Sequence, residues 1–193
     1  MRVGELLGAT PHRWVQGVDD QDVVSVTHDS RRAGPGAVFV ALRGGRTDGL
    51  NFAGDAARRG AGAVIVGRGR SGVAELKNAP RVIEVDDERT ALAVMARNLH
   101  GRVDERLPIV GVTGTNGKTT TCCLVAAVLE AAGWKVGQLG TISYKVGDAE
   151  IDGRLTTPEA PDIHGYLSRM AAAGCGGCVM EVSSHSLDRR RVH

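Results

Sequence analysis

Apolar positions along the chain fall into two rhythms that take turns. Short β-branched runs at Val23–Thr27, Val38–Leu42, Ala63–Val66 and Val82–Val85 read as strands, with a short helix at Ala53–Arg59. Gly34-Pro35-Gly36 and Arg43-Gly44-Gly45-Arg46 punctuate the first two strands, and residues 67–72 read as a mobile glycine-rich loop. Helical spacing then takes over. Leu92, Met95, Ala96 and Leu99 share one face of a helix that starts at Asp86, with acidic residues in its first turn, and ends near Gly101.

Beyond Pro108 the two rhythms alternate again. Ile109–Val112 predicts a strand, and Cys122, Val125, Ala126 and Leu129 predict a helix stopped by Gly133. Lys135–Thr141 is a further strand, and Thr141–Val146 with Ala149–Ile151 fits a hairpin turning at Gly147-Asp148. Ile163, Tyr166, Leu167 and Met170 mark a helix ended by Gly174; Cys178–Val182 is a buried strand running into Ser183-Ser184-His185-Ser186. Strands alternating with helices predict an α/β fold with a mainly parallel sheet. The expected organisation is a small α/β domain over residues 1–86 and a P-loop-type domain over 87–193.

Composition narrows the function classes. A chain of 193 residues that is 42% hydrophobic and 24% charged should fold, as one large or two small domains. A formal charge of +2 supplies no field for nucleic acid or a membrane surface, and 3% aromatic residues supply no base-stacking platform. Met1–Leu7 is too short an apolar run for a signal peptide, and no segment approaches the ~20 apolar residues of a membrane span. The expected compartment is the cytoplasm and the expected state a monomer, with neither nucleic acid nor membrane as partner. Cys122-Cys123 and Cys175-x-x-Cys178 read as structural, because adjacent helical cysteines diverge and a single CxxC supplies half a zinc site.

The candidate chemistry centres on Pro108–Thr121. A β-branched strand breaks into a turn with Gly114 and Gly117, whose amides can converge on an anion at the start of a helix. Lys118 can reach the outer phosphates of a nucleotide, and Thr119 stands where a P-loop hydroxyl meets Mg²⁺. The strict P-loop pattern fails at Val112, which takes the place of its first glycine. Glu181 is the one carboxylate in an apolar strand and is placed to bind Mg²⁺; His185, four residues on, is a second candidate. On residue type alone, Asp29-Ser30-Arg31 is a strand-end turn. Thr156-Thr157-Pro158 is likewise an N-cap followed by proline at the first helical position.

The variant loop Gly111–Thr120, with Leu155–Asp162, Met180–His185 and Arg191-Val192, resembles the Mur ligases, and among them those that add a diamino acid to a UDP-muramoyl-dipeptide. The resemblance covers essentially the whole chain. It implies ATP-driven amide-bond formation: the terminal carboxylate of UDP-MurNAc-L-Ala-D-Glu is phosphorylated, and meso-diaminopimelate or L-lysine attacks the acyl phosphate. It further implies ATP contacts from Gly114, Thr115, Asn116, Gly117, Lys118, Thr119 and Thr120, with Lys118 catalytic and Mg²⁺ at Glu181. The UDP-sugar and its peptide would meet Ser30, Gly45, Arg46, Thr47, Thr156, Thr157, Ser183, Arg189 and Arg191. In that family a carboxylated lysine and an amino-acid-binding third domain follow, so this chain reads as the inactive front part of a ligase. Other ligases of the superfamily, of the folylpolyglutamate or cyanophycin synthetase type, and a non-catalytic binding module are the competing readings.

Overall fold

The computed structural model describes residues 1–45, 47–73, 76, 79–153 and 155–193, and the chain divides into two compact units, Met1–Leu99 and His100–His193.

In the first unit α1 (Val3–Leu7), β1 (His12–Gln16), β2 (Ser25–Thr27), β3 (Ala37–Val40), α2 (Ala53–Arg58), β4 (Ala63–Gly67), β5 (Val82–Val85) and α3 (Glu88–Leu99) follow in order. The sheet order is β1-β5-β4-β3-β2, parallel except for β1. Both faces are covered, which is why the central strands are continuous apolar runs. Val38, Val40 and Ile65 point towards α1 and α3, while Phe39, Ala41, Val64 and Val66 point towards α2, the period-two alternation of a strand.

Two features depart from the sequence reading. The helix expected to open the second domain is α3, and Ala91, Leu92 and Met95 bury it against the first unit's sheet; the unit boundary therefore falls at 99/100, not 86/87. Strand β1 carried no apolar run to announce it. It is an edge strand, held by its ladder to β5 and by Arg13 Nη2 at 2.6 Å from the buried Glu84 Oε2.

The second unit holds β6 (Ile109–Val112), α4 (Lys118–Ala131), β7 (Val136–Leu139), β8 (Ser143–Val146), β9 (Ala149–Asp152), α5 (Ala160–Ala172), β10 (Gly177–Glu181) and α6 (Ser184–Asp188). Its sheet order is β6-β10-β7-β8-β9, with β6, β10 and β7 parallel and β8–β9 the expected hairpin. Ile163, Leu167 and Met170 of α5 pack on Leu139, Tyr144, Cys178 and Met180. The opposite face is thinner: Cys122 and Ala126 of α4 meet Val136 and Val179, while Leu124 and Val128 are exposed. At the sheet edge, Ile109 and Val110 of β6 are exposed as well. Among the described residues no helix is long and apolar enough to cross a membrane.

Candidate functional site

Three neighbouring parallel strands of the second unit deliver their carboxyl ends to one place. β6 runs into the glycine turn, β7 into Gly140-Thr141, and β10 ends on Glu181 itself. In open α/β sheets, ligands bind outside such strand ends. Gly117 caps α4 at φ 77°, left-handed backbone that costs an ordinary residue about 1–2 kcal/mol, and the first helical bond runs from Thr121 N to Gly117 O at 2.9 Å. The amides of Lys118, Thr119 and Thr120 thus have no acceptor within the helix, and they supply an anion site at its start. Lys118 Nζ donates to Gly114 O at 2.8 Å, folding its charge across a turn that is exposed from Thr113 to Gly117.

Glu181 is only 1% exposed, and a carboxylate buried to that degree needs partners. It has three donors. Thr119 Oγ1 donates to Oε1 at 3.0 Å, Thr141 N to Oε1 at 2.8 Å and Thr141 Oγ1 to Oε2 at 3.2 Å. Because the Thr119 proton points at the carboxylate, its oxygen lone pairs stay available to a cation, so the donor set fits Mg²⁺: a hydroxyl and a carboxylate oxygen side by side, hard ligands for a hard ion. A Cβ on Gly140 would lie 2.7 Å from Glu181 Oε1. Gly140→Ala is therefore expected to displace the carboxylate and destabilise the unit by about 1–3 kcal/mol, read by denaturant unfolding.

The Thr156-Thr157-Pro158 segment is not a helix cap. Helix α5 starts two residues later, with Glu159 as its N-cap and Pro161 in its first turn, because Thr157 is engaged elsewhere. The buried Thr157 hydroxyl donates to Glu181 O at 2.9 Å and accepts from Ser183 N at 3.1 Å; Arg191 Nη1 donates to Thr157 O at 2.9 Å. Thr157 thus ties this segment to the end of β10, and its side chain has no spare proton. Thr156 is half-buried, 3.1 Å from Thr141 Oγ1. Ser183 caps α6 by accepting from Ser186 N at 3.1 Å. Arg191 Nε lies 2.8 Å from Glu159 Oε1, and Arg189 Nε lies 3.7 Å from Asp188 Oδ2. His185 lies in α6 with its side chain exposed.

Beside Glu181 a cavity of about 350 Å³ opens between α4 and the hairpin, lined by Thr119, Cys122, Gln138, Ile142, Lys145 and others. Burial pushes the Cys122 thiol up to about 11, with the nearby Glu181 charge adding to the shift, and burial pushes Cys178 up to about 12. Both thiols are protonated at neutral pH and serve as small core side chains.

In the first unit the candidate residues again follow strand ends. Asp29, after β2, accepts from Arg31 N at 3.0 Å and forks with the Arg31 guanidinium, Nε to Oδ1 at 2.9 Å and Nη2 to Oδ2 at 2.7 Å. The Arg31 hydrogen bonds hold the Asp29 carboxyl down at about 2. Its stabilisation of the turn is thus complete above its unfolded value near 3.8 and is lost only as pH falls towards 2. Ser30 opens a short 3₁₀ turn, Ser30–Arg32, and is half-buried.

After the adjacent β3, Arg43 bridges to Asp48, and Gly44 N donates to Thr47 O at 3.1 Å, leaving Gly45 and Thr47 exposed at the tip; Arg46 lies outside the described residues. The base of this loop is fastened by a residue the sequence reading missed. The buried Arg70 donates to Ala41 O at 2.5 Å, to Glu88 Oε1 at 3.1 Å and to Asp48 Oδ1. Arg70 sits in the stretch read only as a mobile loop, and nothing in its local pattern distinguishes it from a surface arginine. Thr141 was missed for a different reason. The sequence pattern reads it only as strand or hairpin, although a hydroxyl residue directly after a glycine at a strand end is a usable signal.

Residues 22–100 match the Mur ligase family, catalytic domain, and residues 112–193 match the Mur ligase middle domain. The chain belongs to the Mur ligase family. It is 38% identical over its whole length to the UDP-N-acetylmuramoyl-L-alanyl-D-glutamate–2,6-diaminopimelate ligase of Clostridium perfringens, and 42% identical to that of Solibacter usitatus, covering 39% of each. A solved diaminopimelate ligase structure aligns with all of the chain and 38% of its own, at TM-score 0.76 and 25% identity. The MurF ligase of Thermotoga maritima in complex with ADP aligns with 83% of the chain and 32% of its own, at TM-score 0.51 and 25% identity. The chain spans about two fifths of the length of the curated relatives it matches. The Mur ligase middle-domain match contains the glycine turn, Thr141, Thr156 and Glu181 together.

Proposed function

We propose that this chain belongs to an ATP-dependent ligase that joins a diamino acid to UDP-MurNAc-L-Ala-D-Glu through an acyl phosphate, in peptidoglycan synthesis. The observation that carries the reading is the 3.0 Å contact between Thr119 Oγ1 and the buried Glu181, at the carboxyl ends of β6 and β10 beside the glycine turn. The relatives are 2,6-diaminopimelate ligases, which supports diaminopimelate over L-lysine as the amine donor. The solved relative with ADP supports ATP as the nucleotide.

In this reading the second unit holds ATP by the amides of Gly114–Thr120 and by Lys118, whose Nζ leaves Gly114 O to meet phosphate oxygens. Thr119 and Glu181 are the residues that would hold Mg²⁺, which when bound neutralises phosphate charge; the exposed His185 is a further candidate ligand. A carboxylate is a poor electrophile until phosphorylated, so the unit must also position the acceptor. Thr156, Ser183, Arg189 and Arg191 are assigned to the muramoyl-peptide, with Thr157 as the strut that holds Thr156 and Ser183 in register. In the first unit, Ser30, Gly45, Arg46 and Thr47 are assigned to the UDP-sugar.

A ligand that binds only the folded state stabilises it by about 2.7 kcal/mol at a hundredfold excess over its dissociation constant. UDP-MurNAc-L-Ala-D-Glu is therefore expected to raise the melting temperature of the chain, and Ser30→Ala to blunt that rise. An unchanged melting temperature at saturating ligand would remove the UDP-sugar assignment.

A further inference from the structure

We infer that Thr141 is a positioning residue that couples cation loading at Glu181 to hydrogen-bond donation by Thr156. The inference rests on the proposed assignment of Thr119 and Glu181 to Mg-nucleotide and of Thr156 to the muramoyl-peptide. Thr141 Oγ1 lies 3.2 Å from Glu181 Oε2 and 3.1 Å from Thr156 Oγ1, yet its hydroxyl has one proton to give. A carboxylate only accepts, and a hydrogen bond to an anion is about twice as strong as one between neutral groups. Without a cation, Thr141 therefore donates to Glu181 and accepts from Thr156, whose proton is turned inwards.

Holding a cation between Thr119 and Glu181 weakens the carboxylate as an acceptor. The Thr141 hydroxyl is then released to donate to Thr156, and Thr156 turns its own proton outwards, towards a carboxylate or carbonyl oxygen of a ligand. The fixed parts around this rotor make the exchange local. Thr141 N stays on Glu181 Oε1 at 2.8 Å, so the carboxylate does not swing away. Thr157, next in the chain, is anchored at 2.9 Å to Glu181 O and at 3.1 Å from Ser183 N, so the segment that carries Thr156 keeps its place. What changes is the direction of two protons. The consequence is positive coupling: Mg-nucleotide and the muramoyl-peptide each bind more tightly in the presence of the other.

Calorimetry on the 193-residue chain tests this with UDP-MurNAc-L-Ala-D-Glu titrated alone and in the presence of Mg²⁺ and a non-hydrolysable ATP analogue. The wild type is expected to bind the UDP-dipeptide about fivefold more tightly or better with Mg-nucleotide present, the lower end of ordinary coupling. Thr141→Ser, which keeps the hydroxyl, should preserve that ratio, and Thr141→Val should bring it to about one. Thr156→Val removes the other end of the relay and should do the same, which keeps the test open if Thr141→Val folds poorly. A merely structural role for Thr141 would lower the melting temperature or both affinities and leave the ratio intact. An unchanged ratio in both valine variants, or a wild type that binds both ligands without coupling, overturns the inference alone. A wild type that binds neither ligand overturns the site assignment and the inference with it.

Discussion

Replacing Lys118 with alanine should weaken Mg-ATP binding about 10- to 100-fold, the loss that follows from removing one hydrogen-bonded charge worth about 1.5–3 kcal/mol. In the structure Lys118 Nζ is spent on Gly114 O, a neutral acceptor that a phosphate oxygen easily outbids. The side chain is half-buried and partners only the turn, so the folded state should lose little without it. Calorimetry on the two proteins gives the affinities, and a thermal melt gives the control. A variant that binds Mg-ATP as well as the wild type would take the turn out of the nucleotide site.

Glu181 should show the larger combined effect. Alanine there leaves the Thr119 hydroxyl and both Thr141 donors without their acceptor, at about 1–3 kcal/mol for each donor that water fails to reach. The chain should accordingly unfold at lower denaturant. Glu181→Gln separates charge from packing, because the amide keeps the volume and one acceptor but is a poor partner for a divalent cation. The glutamine variant should stay close to wild type in stability while losing the dependence of ATP affinity on Mg²⁺, on the order of tenfold in the wild type. Titrating ATP with and without Mg²⁺ across the three proteins decides it. A glutamine variant that retains full Mg²⁺ dependence would show that the cation sits elsewhere.

The interior of the fold was legible because it obeys two simple periods. Val38–Val40 and Val64–Val66 alternate between two covered faces, and Ile163, Leu167 and Met170 mark the stripe of α5 that meets the sheet. Elements without a buried run were not legible: β1 has mostly exposed side chains and is fixed by partners far along the chain, such as Glu84. The sequence places the boundary at 86/87 and the compact units divide at 99/100 for a related reason, since periodicity shows that α3 has an apolar face but not which sheet receives it.

At the site, the glycine turn, Lys118, Thr119 and Glu181 could be named from local pattern. The chemistry that joins them could not. Thr141 grips Glu181 from the turn after β7, Thr157 ties the segment before α5 to the end of β10, and Arg70 fastens the loop carrying Gly45 and Thr47 through carboxylates at 48 and 88. Each of these links joins residues distant in sequence, and each is a polar side chain consumed by the fold. Residue type alone assigned Thr157 and Thr156 the same role, whereas the hydrogen bonds separate a strut from a rotor.

Amide chemical-shift mapping by NMR tests most directly whether one chain carries both a nucleotide site and a UDP-sugar site. With Mg-ATP added, the amides of Gly114, Asn116, Gly117, Lys118 and Thr119 are expected to move, together with Thr141. With UDP-MurNAc-L-Ala-D-Glu added, those of Asp29, Ser30, Arg31, Gly45 and Thr47 are expected to move, with Thr156 following. Resonances of the turn from Gly114 to Thr119 that stay unmoved at saturating Mg-ATP would contradict the account.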